Sequence, residues 1–293
     1  MPRRKFFHLR SGLRIAALDW GGNKPLAILC HANGFCASTW SLVAERLQQD
    51  LRVIALDARG HGASPVPKNE SLYDWKFLVE DLLQVTEQLL GEETAPQVAL
   101  LAGNSLGAVI GATAAAWEPE RFRSVVMLDP PVLPVGEMGA HSEKAVGMVK
   151  QTRRRKRLFD SRQAVESAYR GKQTFADWHE EAFEHYLNDG FASLTDGRLA
   201  LRCPPEVEAA IFEKTGSIDL FAEAPKVQAE VTLVHAARGR FDYALYQRLN
   251  ERFPSGTLIS IEGGHLLPME MPEETAGLLS SVVGPALSGR RSD

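Results

Sequence analysis

Apolar positions in the first half of the chain fall into two alternating patterns. In one, nearly every residue of a short run is apolar: Leu26-Ala27-Ile28-Leu29-Cys30, Leu51 to Leu56, Val98 to Ala102 and Val125-Val126-Met127-Leu128 read as strands. In the other, apolar residues recur at helical spacing: Trp40 to Gln48, Leu72 to Leu90 with Leu78, Leu82, Val85 and Leu89 on one face, and the Ala-rich stretch Leu106 to Trp117. A strand that is apolar throughout has no solvated face and must be covered on both sides. Such strands alternating with helices predict an α/β fold around a mostly parallel sheet.

The rhythm stops after Asp129. About 100 residues separate it from the next clear strand, Val231-Thr232-Leu233-Val234, whereas a crossover with its helix needs little more than a dozen. An insertion is therefore expected. It opens around Pro130, Pro131 and Pro134, ends near Pro225, and carries helix-like segments with Phe159, Tyr169, Phe175, Trp178, Phe183, Tyr186 and Phe191. The sheet pattern then resumes with a helix from Tyr243 to Arg252, a strand from Thr257 to Ile261 and a last helix from about Glu273 to Val283. This predicts a core domain of residues 1–131 and 228–293 with a helical cap at 132–227, and a frayed tail from Ser288 onward.

Composition changes this picture little. With 293 residues, 44% hydrophobic, 24% charged and a net charge of −4, the chain looks like an ordinary globular domain with no call for a nucleic-acid partner. The basic opening Arg3-Arg4-Lys5 is followed by only Phe6 and Phe7 before His8, too short for a signal peptide. No run approaches the roughly 18 apolar residues of a membrane span. A cytoplasmic protein without a membrane partner, monomeric or homodimeric, is expected. Cys30, Cys36 and Cys203 are odd in number and lack ligand spacing, which favours buried free thiols over a disulfide framework or zinc site.

The first chemical signal is Gly103-Asn104-Ser105-Leu106-Gly107, between an apolar strand and an Ala-rich helix. Gly-x-Ser-x-Gly in that context is a nucleophile elbow: small residues flank a serine held above the sheet's end, and the helix points its amides at developing negative charge. A dinucleotide turn would need glycine where Ser105 stands, and a phosphate loop would need a following lysine. The bland alternative is that Ser105 only caps the helix. A serine hydroxyl needs a base, and His265 in Gly263-Gly264-His265, just after the last strand, is well situated. Of the other histidines, His31 and His61 lie in glycine-bearing loops, His141, His179 and His185 in the insertion, His235 at a strand end and His8 near the terminus.

Taken together, His31-Ala32-Asn33-Gly34-Phe35, Asp57-Ala58-Arg59-Gly60-His61-Gly62-Ala63-Ser64, Gly103 to Gly107 and Gly263 to His265 resemble, in order and spacing, the motifs of the α/β-hydrolase superfamily. The likeness covers roughly residues 6–131 and 228–287. The insertion resembles the variable cap that superfamily members carry between their sixth and seventh strands. The resemblance implies an eight-stranded sheet with helices on both faces, and an oxyanion hole formed by the Leu106 amide and one from the His31 loop, at Asn33 or alternatively Phe35. Ala32 departs from the glycine usual at its position. Asp57 to Ser64 is similar to a structural turn of the family, so neither Asp57 nor His61 receives a catalytic role.

The acid departs most. Where the family shows Gly-x-x-Asp after its seventh strand, this chain has Ala236-Ala237-Arg238-Gly239. Asp129, at the C-terminal end of a strand and so already at the catalytic rim, is the preferred replacement. Asp242 is the alternative, with a helix cap as its plainer role, and Glu262 ranks third. These residues imply a serine hydrolase acting on an ester-like bond, a carboxylester, lactone or thioester, of a small, largely apolar molecule, with no metal or organic cofactor. A carbon–carbon bond hydrolase on the same triad, or a ligand-binding receptor of low turnover, remains open. The run Arg153-Arg154-Arg155-Lys156-Arg157 reads as a solvated helix face, or else as a source of arginines for a substrate carboxylate or phosphate.

Overall fold

The computed structural model describes residues 1–93, 96–133 and 143–288; Pro134, His141 and the tail beyond Ser288 lie outside these residues. The strands are β1 (Arg3–His8), β2 (Arg14–Asp19), β3 (Leu26–Cys30), β4 (Arg52–Asp57), β5 (Leu100–Asn104), β6 (Ser124–Leu128), β7 (Leu158–Phe159), β8 (Phe191–Ser193), β9 (Leu199–Leu201), β10 (Glu230–Ala236) and β11 (Gly256–Ile261). The helices are α1 (Ser41–Leu47), α2 (Trp75–Leu90), α3 (Leu106–Trp117), α4 (Glu143–Arg153), α5 (Arg162–Arg170), α6 (Glu180–Asp189), α7 (Pro205–Glu213), α8 (Leu220–Glu223), α9 (Tyr243–Asn250), α10 (Leu267–Glu270) and α11 (Pro272–Ser288).

Eight strands form one sheet in the order β1-β2-β4-β3-β5-β6-β10-β11, with β1–β2 and β2–β4 antiparallel and the other neighbours parallel. Side chains on a strand alternate between its faces, and here both faces are dry. Ile28, Leu101 and Val125 point to one core with α2, α3 and α9 (Leu78, Leu82, Val109, Tyr246). Leu29, Ala102 and Val126 point to another with α1 and α11 (Val43, Leu47, Ala276, Leu279). Double burial is why the central strands read as unbroken apolar runs.

The segment between β6 and β10 stands apart from this sheet, since β10 pairs directly with β6. It holds α4 to α8 and, beyond the helices expected, a small antiparallel sheet of order β7-β9-β8. Its aromatic residues pack mainly on one another: Phe159, Tyr169, Phe175, Trp178, Phe183, Tyr186 and Phe191 share one cluster with Ala32, Cys36, Leu266 and Met269. The aromatic cluster thus rests on two loops at the sheet's C-terminal edge, those containing Asn33 and His265, while α7 and α8 join the first core beside α2 and α3 through Val207, Ile211 and Leu220.

Several boundaries differ from the sequence reading. The helix expected from Leu72 is a 3-10 turn at Glu70–Tyr73, then α2, because Asp74 takes extended backbone and its side chain accepts the Lys76 amide as N-cap. The strand expected from Val98 begins at Leu100, with Val98 making an isolated bridge to Phe122. All three cysteines are buried free thiols. No helix among the described residues is long and apolar enough to cross a membrane.

Candidate active site

The chain reverses from β5 into α3 across the single residue Ser105, whose φ of 54° and ψ of −117° no side-chain-bearing residue adopts without strain, of order 1–3 kcal/mol. The Ser105 amide donates to the Leu128 carbonyl at 2.9 Å, which fixes the reversal. The flanking glycines are required by contact rather than by φ. A Cβ on Gly103 would fall 2.2 Å from the Gly107 carbonyl carbon, and one on Gly107 2.2 Å from the Cys30 carbonyl oxygen. The first turn of α3 therefore lies directly on the end of β3, beside the His31 loop.

His265 sits in the loop from β11 to α10, and that loop is clamped on both sides of it. One Glu270 carboxylate accepts the amides of Gly264 (2.7 Å) and Leu266 (3.0 Å). Asn104, the residue before Ser105, donates its side-chain amide to the carbonyls of His265 (2.9 Å) and Leu128 (3.0 Å). Held this way, His265 Nε2 lies 3.0 Å from Ser105 Oγ and Nδ1 lies 2.6 Å from Asp129 Oδ2. An ionised carboxylate only accepts, so the ring proton belongs on Nδ1 and the Nε2 lone pair faces the hydroxyl.

Asp129 is fully buried at the end of β6, with φ of 43°. Its other oxygen accepts the Ala236 amide and the Tyr246 hydroxyl, both at 3.0 Å. Burial beside this carboxylate pushes the Tyr246 phenol well up, so it stays a donor. The departure at Gly239 now has a physical counterpart. A Cβ there would stand 2.8 Å from Asp129 Oδ2, so the space of the usual carboxylate is occupied by the one arriving from β6. Asp242, the alternative acid, is exposed and accepts the Ala244 amide at 3.0 Å as N-cap of α9, whereas the carboxylate found against His265 Nδ1 is that of Asp129. Glu262 is exposed at the end of β11.

Among the described residues, the backbone N–H groups of Leu106 and Asn33 donate to no protein acceptor, whereas Phe35 donates to Ala32 O (3.2 Å) and Gly34 to His61 Nε2 (3.0 Å). The Phe35 alternative is thus already engaged. Ala32 needs no glycine because its φ is negative, and its methyl packs into the aromatic cluster. Beneath the loop, two imidazoles act as staples: His31 Nε2 accepts the Ala58 amide at 3.0 Å while its Nδ1 donates to Ala32 O, and His61 Nδ1 donates to Arg59 O. Both must be neutral to accept. Burial lowers their pKa to about 4 and about 3 respectively. Asp57 accepts the Ala37 and Ala63 amides at 2.7 and 2.9 Å, and burial raises its pKa to about 6.

The basic run is mostly partnered. Arg153 reaches Glu70 and Glu213, Arg155 reaches Glu208 and Tyr169, and Lys156 lies 5.1 Å over the Phe159 ring. Sequence reasoning gave no role to Asn104, Tyr246 or Glu270. Asn104 carried a signal, being a polar residue inside an otherwise apolar strand-to-helix junction. Tyr246 and Glu270 carried none, because their partners are distant in the chain or are backbone groups.

Residues 27–278 match the profile of the Alpha/beta hydrolase family. The chain is 25% identical over 287 residues to a serine hydrolase-like protein of Danio rerio, covering 91% of this chain and 84% of that one. It is 34% identical over 108 residues to the 2-(acetamidomethylene)succinate hydrolase of Mesorhizobium japonicum, 37% of this chain and 36% of the relative. The crystal structure of an E-2-(acetamidomethylene)succinate hydrolase superposes with a TM-score of 0.80 at 20% identity, over 97% of this chain and all of that one. At that identity the superposition speaks for the fold alone. The family match spans most of the chain and encloses the elbow, the β6 carboxylate and the histidine loop, so this protein belongs to the Alpha/beta hydrolase family.

Proposed function

We propose that the protein is a serine hydrolase that cleaves an ester-like bond of a small molecule through an acyl-enzyme on Ser105. One observation carries the reading: the unbroken relay from Ser105 Oγ to His265 Nε2 at 3.0 Å, and from His265 Nδ1 to Asp129 Oδ2 at 2.6 Å. His265 takes the hydroxyl proton as Ser105 attacks the carbonyl carbon, and Asp129 holds the ring in the required tautomer while stabilising the imidazolium. The amides of Leu106 and Asn33 receive the oxyanion, aided by the positive end of α3. As the intermediate collapses, the imidazolium gives its proton to the leaving group. A water deprotonated by the same ring then attacks the ester, and Ser105 recovers its proton when the second intermediate breaks down.

The segment at 132–227 acts as a cap over a core of 1–131 and 228–293. Support for that division comes from its separate aromatic cluster and that cluster's seat on the Asn33 and His265 loops. By excluding water it would strengthen every charge interaction beneath it. The test is pre-steady-state hydrolysis of para-nitrophenyl butyrate. A burst of about one equivalent of phenol per protein, absent in Ser105→Ala, is expected; equal rates for the two proteins would refute the proposal.

A further inference from the structure

Arg155 is the member of the basic run that turns inward. Its Nη1 pairs with Glu208 and its Nη2 donates to the Tyr169 hydroxyl at 3.0 Å. Glu208 is only 8% exposed and lies on the oxyanion loop: a Cβ on Gly34 would meet its carboxyl carbon at 2.8 Å, and its backbone carbonyl accepts the Asn33 side-chain amide at 3.0 Å. Lys172, an exposed residue, places its Nζ 4.2 Å from the centre of the Tyr169 ring, and Arg155 and Lys172 are the cations that act on the Glu208 carboxylate among the described residues. The cluster therefore holds two cations against one carboxylate. The Tyr186 hydroxyl, buried with its ring 5.4 Å from that of Phe35 in the same loop, makes no well-formed hydrogen bond among the described residues, although it stands close to the Tyr169 hydroxyl.

Stability does not explain this arrangement. The pair is largely withdrawn from water, Arg155 being 22% and Glu208 10% exposed at the side chain, and such a pair loses more hydration than its attraction repays unless every donor is satisfied. A substrate bearing one negative charge would remove the surplus and supply an acceptor for the Tyr186 hydroxyl. A phosphate monoester, with close to two charges, would overshoot. Arginine still has N–H groups to offer after Glu208 and Tyr169 are served.

We propose that Arg155, with Lys172 and the Tyr186 hydroxyl, binds a carboxylate carried by the substrate, and that Glu208 is an internal carboxylate competing for the same guanidinium. The proposal rests on the serine-hydrolase reading and adds the class of substrate: carboxylic acids that also carry an ester-like bond.

The test compares kcat/KM for the mono-para-nitrophenyl esters of succinate, glutarate and adipate with their methyl diesters. The wild type is expected to prefer at least one acid over its diester, although the protein is itself net negative. Glu208→Gln, which removes the competitor, raises that preference several-fold. Arg155→Met combined with Glu208→Gln removes both members of the buried pair and leaves only the exposed Lys172 charged, so no buried charge is left to unfold the site, and it lowers the preference about tenfold to hundredfold, the worth of a charge-assisted hydrogen bond. A wild-type preference at or below unity for all three acids, or a double variant that keeps it, overturns the proposal. If neutral diesters give a Ser105-dependent burst while that occurs, only the carboxylate assignment falls. If no ester gives a burst, the hydrolase reading falls and takes the assignment with it.

Discussion

Asp129→Asn isolates what the buried carboxylate contributes. Asn tolerates the positive φ of this position nearly as well as Asp. Its carbonyl oxygen can keep the amide of Ala236 and the hydroxyl of Tyr246, so the fold should lose no more than about 1–2 kcal/mol. Its amide nitrogen, however, would face His265 Nδ1 as a donor across the 2.6 Å contact. The ring then adopts the other tautomer, with its proton on Nε2 pointing at Ser105 Oγ, and cannot accept the hydroxyl proton. A wrong tautomer in a serine triad costs about ten-thousandfold in kcat, roughly 5.5 kcal/mol. The assay is steady-state hydrolysis of para-nitrophenyl butyrate, with urea unfolding of the same preparation as a check on folding. Asp242→Asn should keep its activity, because that side chain only caps α9. A folded Asp129→Asn within tenfold of wild type, or a collapse of activity in Asp242→Asn, would refute the assignment of the acid.

Two predictions concern the scaffold. Gly107→Ala drives a methyl to within 2.2 Å of backbone at Cys30 and should cost more than about 3 kcal/mol in urea unfolding, whereas Gly277→Ala, with open space around it, should gain about 0.5–1 kcal/mol; an unchanged Gly107→Ala midpoint would contradict the elbow contact. The buried neutral staples His31 and His61 set a pH dependence. Their folded pKa values, about 4 and 3, lie below the unfolded value of 6.5, so the unfolded chain binds more protons and stability falls as pH drops from 6.5 toward 3. Asp57, raised from 3.8 to about 6, works the other way between those values and offsets part of the loss. Thermal unfolding across that range should therefore show a net decline in Tm, and a flat profile would mean the histidines are not held neutral.

Much of this was readable from the chain because the signals are local. The doubly buried strands betray themselves as continuous apolar runs, and the elbow by two glycines around a serine. Asp129 was reachable through a vacancy: Gly239 lacks the carboxylate, and the strand ending at Leu128 points the next residue at the same rim. Less legible was whatever depends on pairing across the chain. β1 and β2 form an antiparallel edge whose first strand buries only Phe7, so no apolar run announces it. β7, β8 and β9 are two or three residues long and exist only through one another. Nothing local separates Arg155, which turns inward to Glu208, from Arg153 two residues earlier, which faces Glu70 at the surface.

The nucleophile can be asked for directly. Incubation with a fluorophosphonate, followed by intact-mass measurement and peptide mapping, should place a single adduct on the peptide containing Ser105, and Ser105→Ala and His265→Gln should remain unmodified over the same time. An adduct on another residue, or a wild-type protein that stays unmodified while folded, would contradict the account.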